Sequence, residues 1–557
     1  MNAARRSLAL LLALLFGAAA APAQLTNGFV ASAHPLATRA GLEALRAGGN
    51  AVDAAVAVGL TLGVVDGHNS GIGGGCFMLI RRATGELIAL DGRETAPAAA
   101  TRDMFLRDGK ADVQLSQTGP LASGIPGSVA VYEHAVKAFG RRSLADALQP
   151  GISIAEHGFP ISRLYASRLR DCAADLSTFP GSRAVLFRDG RPLQQGEVLR
   201  QPDLAATYRA LAEQGSGWFY RGPFAETVAR WMREHGGLLT TADFARYEWK
   251  VREPIRTRYR GFEIVSFPPP SSGGVHVAQM LNILEHFNLR AVDEVTRRHL
   301  LAEAMKLAFA DRAHWLGDPD FVKVPRGLVS TEYAAALAAR IHPERAISVA
   351  AHGTPPFAGE DVFGDRHTTH FSVADAEGNW VACTATVNTG FGSKVIVPGT
   401  GVILNNQMDD FSVQPGVPNF FGLIGAEANA IASGKRPLSS MSPTIVLKDG
   451  QPVVAIGGAG GPRIITAVLQ CLVGLLDLDQ SPAEALAAPR LHQQWSPNEL
   501  LVEKTLPPGL REALTARGHL IREVTGGSSV HVVTRFSDSP GFSGAADPRG
   551  DGTAEGW

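Results

Sequence analysis

The sequence predicts an α/β protein, and three observations carry that reading. Both β-branched, strand-like runs and helical runs occur along its 557 residues, and they alternate from Ile464 onward. Two such runs, 368–374 and 380–387, flank Asp375-Ala-Glu-Gly-Asn379, a turn signal that makes them a hairpin. Strand-then-helix pairs recur at 31–46 and 259–287. Hydrophobic residues at 45% and charged residues at 19% fit a globular chain with a large core. A formal net charge of −1 gives no nucleic-acid footprint and no general attraction to membranes.

The first 23 residues read as a signal peptide. Arg5 and Arg6 precede the apolar run Leu8 to Phe16, and Ala21-Pro-Ala23 offers small residues for cleavage before Gln24. That run is short of the ~20 residues a membrane span needs, and no later stretch reads as a span. An exported bacterial protein of the periplasm or medium is expected. The four cysteines, Cys76, Cys172, Cys383 and Cys471, form no CxxC and are widely spaced, which favours buried free thiols over a bridge.

In chain order, Ala31 to Arg46 reads as strand, turn and helix, and a second helix begins at Ala51. The glycine-rich run His68 to Gly75 lacks the GxxxxGK[ST] pattern, so close backbone packing explains it better than a phosphate. Strands follow at 76–81 and 86–90, with Arg93 just beyond. From Gly124 to about Arg345 the pattern is mostly helical, with turns expected at Pro150-Gly151 and Thr240-Thr241. Tyr259 to Phe267 reads as one strand before a helix from His276 to Phe287. Asp311, Arg312, Asp318 and Trp315 read as polar support with no assigned chemistry. Residues 346–367 read as a processing region, within which 350–359 has loop composition.

The hairpin holds the chemistry. Centred on Glu377, it pairs Ala374 with Trp380, Ser372 with Ala382, His370 with Thr384 and Thr368 with Thr386. Threonine needs a nearby base to act as a nucleophile, and an N-terminal threonine carries its own α-amine. Thr368 is therefore read as a residue freed by cleavage after His367, with Thr386 orienting its hydroxyl. His367 and His370 form HxxH near Asp365, but a strand sends 367 and 370 to opposite faces, so no metal site is expected.

Further motifs follow in order: Leu404-Asn-Asn-Gln-Met-Asp-Asp-Phe-Ser412, Lys435-Arg-Pro-Leu-Ser-Ser-Met-Ser-Pro-Thr444 and Ala455-Ile-Gly-Gly-Ala-Gly-Gly-Pro-Arg463. With the Thr368 stretch they closely resemble the γ-glutamyltransferase family of N-terminal-nucleophile hydrolases, from about residue 27 onward. The resemblance implies a four-layer αββα sandwich, self-cleaved into a large subunit (24–367) and a small one (368–557) that stay together as a heterodimer. It implies that Thr368 attacks the γ-glutamyl carbonyl of glutathione or a related compound. Water, an amino acid or a peptide then resolves the γ-glutamyl ester, and no metal or organic cofactor takes part. Residue by residue, it implies that Asn388, Gln407 and Asp410 hold the substrate's α-ammonium. Arg93, Ser439 and Ser440 hold its α-carboxylate, and Gly460 and Gly461 supply oxyanion N–H groups.

The loop Ser412 to Gly425 resembles the family's lid, but Phe421 stands where a latching tyrosine is common. Asp547-Pro-Arg549 matches a C-terminal motif, and Gly550 to Trp557 reads as loosely attached. Two rivals remain: an acylase of the same fold acting on glutaryl or polyglutamate substrates, and an unprocessed exported binding protein. Asp410, an ammonium partner, and Arg93 argue against the glutaryl acylase.

Overall fold

The computed structural model describes residues 27–356, 370–537 and 541–557. The predicted signal segment, His367, Thr368 and Asp365 lie outside the described residues. Thirteen strands build two sheets: β1 (Gly28–Ser32), β2 (Gly75–Arg81), β3 (Leu87–Gly92), β4 (Lys250–Arg252), β5 (Ile255–Tyr259), β6 (Phe262–Ser266), β7 (Phe371–Asp375), β8 (Trp380–Thr386), β9 (Thr444–Lys448), β10 (Gln451–Ala459), β11 (Ser529–Thr534), β12 (Ser543–Ala546) and β13 (Thr553–Gly556). The first sheet runs β4-β3-β2-β8-β7-β1-β13 and the second β5-β6-β9-β10-β11-β12. Every pairing in both is antiparallel.

The sheets face each other, and helices cover their outer faces, as the αββα expectation requires. Strand alternation does the sorting. Cys76, Met78 and Ile80 of β2 point to the cluster that holds helix α1 (Pro35–Arg46) and helix α2 (Ala51–Val65). Phe77 and Leu79 point the other way, and Phe77 stacks on Phe267 of the opposite layer at 4.4 Å. Both faces of the sheet are therefore apolar, which is why its strands read as continuous hydrophobic runs. The second sheet is backed by α3 (Ser272–Leu284), α4 (Glu294–Trp315) and α5 (Arg463–Asp477). No helix among the described residues is long and apolar enough to cross a membrane.

The hairpin register is as expected: Ala374 pairs with Trp380 and Ser372 with Ala382. All four cysteines are free, and three are buried; Cys172 is partly exposed.

Three local expectations fail. Tyr259 to Phe267 is not one strand: Arg260 (φ 51°) and Gly261 (φ 79°) form a two-residue turn between β5 and β6. Pro150-Gly151 is not a turn but lies inside the helix Leu144–His157. A Ser143–Asp146 capping box starts that helix, and Gly151 packs against the ring of Tyr208. Capping and burial outweigh a proline penalty of about 3 kcal/mol. The chain end is not loose: β13 pairs with β1, and Trp557 N–H donates to Gly28 O at 3.2 Å. An open sheet edge offers unpaired backbone groups, and this segment satisfies them.

Candidate active site

One large cleft, of about 750 Å³, opens where β8 and β10 end. Thr386 closes β8, and its Oγ1 accepts from the Asn388 N–H at 2.7 Å. Asn388 adopts a left-handed conformation (φ 80°), which asparagine tolerates better than most residues. Its Nδ2 donates to Asn406 O at 3.0 Å. The glycine-rich run explains itself here: a Cβ on Gly74 would collide with Thr386 O, and Asn405 N–H donates to Gly73 O at 3.0 Å.

Behind the hairpin, His370 Nε2 donates to Ser372 Oγ at 2.6 Å, and Ser372 Oγ donates to Ala455 O at 3.0 Å. Its Nδ1 is left to accept from Thr384 Oγ1 at 3.3 Å. Burial holds this imidazole well below its usual pKa, so it is neutral. The ring lies on Gly457, where a Cβ would clash, so the glycine lets the two sheets close at this point.

The block after Asn405 forms a 3₁₀ turn, Gln407–Asp410. Gln407 Nε2 donates to Asp410 Oδ2 at 3.4 Å, and its buried Oε1 has no partner among the described residues. Arg93 is fully buried behind this turn. Its Nη2 donates to Asp410 Oδ2 at 2.6 Å, its Nε to Pro437 O at 3.3 Å and its Nη1 to Glu94 Oε2 at 3.4 Å. Burial raises the Asp410 carboxyl, and Arg93 opposes that rise. Burial also raises Glu94, to about 7. Arg93 thus stands behind Asp410, not on the cleft wall.

Arg312, on α4, does line the cleft. Its Nη2 donates to Ser440 Oγ at 3.2 Å and its Nε to Ser272 Oγ at 2.9 Å. Burial lowers its pKa to about 10, still charged at neutral pH. Ser439 and Ser440 line the cleft beside it, with Ser439 N–H donating to Pro270 O at 3.0 Å. Sequence reading left Arg312 without chemistry. Its signal was the polar Asp311-Arg312 pair near the end of a helix that carries other charges, such as Glu303 and Lys306. Asp311 is the support residue: it accepts from Gln279, Tyr333 and the Gly353 N–H.

Gly460 (φ 133°) and Gly461 (φ 58°) form the opposite wall, where β10 turns into α5. Positive φ at both turns the backbone as only glycine does cheaply. The Phe421 ring covers Gly461, and a Cβ there would sit 2.5 Å from it. The loop carrying Phe421 is pinned on two sides. Asp409 Oδ2 accepts from Phe420 N–H at 3.0 Å, and Gln494 Nε2 donates to Gly422 O at 3.0 Å. Asp409 Oδ1 accepts from Ser116 Oγ at 2.6 Å, and burial raises this carboxyl to about 6.

The described part of the expected processing region is anchored at 346–353. Ala346 N–H donates to Arg517 O at 2.7 Å, Lys306 Nζ to Ile347 O at 2.9 Å and Trp495 Nε1 to Val349 O at 2.8 Å. Nearby, His299, Glu303 and His519 converge with metal-like spacing, but Lys306 Nζ donates to Glu303 at 2.7 Å and the two imidazoles bond each other at 2.7 Å.

Residues 37–557 match the family model described as Gamma-glutamyltranspeptidase. A "Glutathione hydrolase proenzyme" of Escherichia coli (strain K12) is 44% identical over 95% of this chain and 91% of its own length. An "Acylase ACY 1 proenzyme" of Pseudomonas sp. (strain SE83) is 41% identical over 96% of this chain and 94% of its own. Among solved structures, a cephalosporin acylase from Bacillus halodurans superimposes with a TM-score of 0.85 at 31% identity, covering 96% of each chain. The sandwich, the cleft at its strand ends and these matches agree: the chain belongs to the γ-glutamyltranspeptidase family.

Proposed function

We propose that the protein is a γ-glutamyltransferase and glutathione hydrolase whose nucleophile is Thr368, freed by self-cleavage after His367. The observation that carries the reading is the ammonium pocket. Asp410, charge-balanced by Arg93, and the unpartnered Gln407 Oε1 face one end of the cleft, with Arg312 and Ser440 beside them. A zwitterionic α-amino acid head matches that set, with its ammonium to Asp410 and Gln407 and its carboxylate to Arg312, Ser439 and Ser440.

In this mechanism the Thr368 α-amine takes the hydroxyl proton as the oxygen adds to the γ-carbonyl. Gly460 and Gly461 N–H groups stabilise the oxyanion. The amine of the leaving group takes the proton as it departs, leaving a γ-glutamyl ester. Water or the amine of an amino acid or peptide then attacks that ester. Thr386, carried by the observed β7–β8 register to the end of the hairpin, is the orienting hydroxyl. Processing divides the chain into 24–367 and 368–557, which remain associated. Export by the first 23 residues puts the product in the periplasm or medium.

The acylase relative keeps a second reading in play: a glutaryl side chain needs no ammonium partner. Intact mass spectrometry and turnover of paired γ-glutamyl and glutaryl anilides test both. Two fragments, the smaller beginning at Thr368 and absent in Thr368→Ala, with γ-glutamyl preferred, are expected. A stable single chain without turnover refutes the proposal, and glutaryl preference moves it to the acylase.

A further inference from the structure

Beyond the glutamyl end, the cleft continues past Gly461 to a wall formed by Arg463, Gln494, Glu499, Arg522 and Gly527. The charges there are unlike those around Asp410. Arg522 Nε donates to Glu499 Oε2 at 2.7 Å; Arg522 is exposed and Glu499 partly so. Arg463 is half-buried, and its Nη1 donates to Gly526 O at 2.7 Å. The guanidinium lies so close to Gly527 that a Cβ there would collide with it. No carboxylate among the described residues pairs with Arg463. Its charged neighbours are Arg522 and Glu503, and Glu503 is itself held by Arg549 at 2.6 Å. Burial, then Arg522, makes its proton easier to lose. A guanidinium fixed in place, facing a cleft and short of negative charge is an anion site.

Its position names the anion. The reacting carbonyl oxygen sits at Gly460–Gly461 in the proposed mechanism, and the leaving nitrogen is one bond from that carbon. Arg463 follows Gly461 by two residues. A two-residue leaving group extends about 7 Å from that nitrogen, enough to bring a terminal carboxylate along this wall.

We propose that Arg463 binds the free carboxylate of the departing peptide, and of the incoming acceptor, so that the cleft selects γ-glutamyl peptides over γ-glutamyl amides with uncharged leaving groups. This rests on the hydrolase reading above.

The test compares kcat/KM for glutathione, whose leaving group ends in a carboxylate, with a γ-glutamyl anilide, whose leaving group has none. In Arg463→Gln the glutathione-to-anilide ratio falls about ten- to a hundredfold, the range for a charge-assisted hydrogen bond. The loss is concentrated in KM, and Arg463→Lys recovers part of it. Parallel loss on both substrates makes Arg463 a structural residue and overturns the proposal. So does an unchanged ratio, or a ratio that falls instead in Arg168→Gln, another arginine lining the cleft. Turnover of neither substrate by the unsubstituted protein overturns the hydrolase reading and this one with it.

Discussion

The two ends of the cleft hold similar residues in opposite conditions. At the end proposed to hold the glutamyl head, Arg93 is fully buried and bonded to both Asp410 and Glu94, and Arg312 is bonded to Ser272 and Ser440. At the other end, Arg522 and Glu499 pair in the open, and Arg463 has no carboxylate partner among the described residues. A buried charge must be matched group by group, because the low-dielectric interior penalises any charge left over. An exposed pair contributes little and can change without harm. The closed end therefore suits a fixed recognition element and the open end a variable one.

The largest effect comes from breaking the match at the closed end. Asp410→Ala strands Arg93 beside a Glu94 carboxyl that burial holds at about 7. Removing one partner of a buried pair costs about 3–5 kcal/mol. Glutathione kcat/KM is expected to fall by at least ~10², with a lower melting temperature; retention of either would show that Arg93 is satisfied elsewhere. Arg312→Met is next. It removes the guanidinium that reaches Ser440, at about 1.5–3 kcal/mol for a hydrogen bond to a charged group, seen mainly in KM. An unchanged KM would return the carboxylate to Arg93.

Gly461→Ala tests the wall between the two ends. A side chain at φ 58° pressing on Phe421 costs about 1–3 kcal/mol and should lower kcat about tenfold; wild-type kcat would mean the loop moves aside freely.

A subtler effect follows pH through Asp409. Its folded pKa, about 6, is raised by burial above the ordinary aspartate value, so its contribution to stability is fully present below about pH 4 and is lost as pH rises through 6. The bonds run the other way. Ionised, it accepts from both Ser116 and Phe420; protonated, it holds Phe420 less well. Protection from hydrogen exchange in 412–425, relative to the intrinsic rate at each pH, should be lower at pH 5 than at 7.5, and Asp409→Asn should flatten that difference. Equal protection at both pH values would dismiss the tether. The smallest effect is Arg522→Gln: an exposed pair of this kind is worth about 0–1 kcal/mol, so a larger melting shift would mean the open end is not as loosely built as it looks.

How much of this was legible beforehand differs element by element. The β7–β8 register followed from turn length and the two-residue alternation of strands, both local properties. Arg260-Gly261 is equally local and was missed because β-branched residues on both sides masked the turn. The expected break at Pro150-Gly151 fails because propensity reads proline as a stop, whereas the cap and buried face of helix Leu144–His157 decide otherwise. The last residues look polar and loose in isolation; only the open edge of β1 makes Thr553–Gly556 a strand.

The sequence alone determined the residue types needed for the chemistry, their order along the chain and the period that makes each segment strand or helix. Short-range sterics and turn chemistry set these, and they act within a few residues. Only the tertiary structure decided which charge meets which. Arg93 and Asp410 are 317 residues apart and Arg312 and Ser440 are 128, yet each pair shares a hydrogen bond. Burial, not sequence spacing, assigned Arg93 to the support of Asp410 and Arg312 to the cleft. The cost of an unpaired charge exists only once the surrounding layers have closed and excluded water.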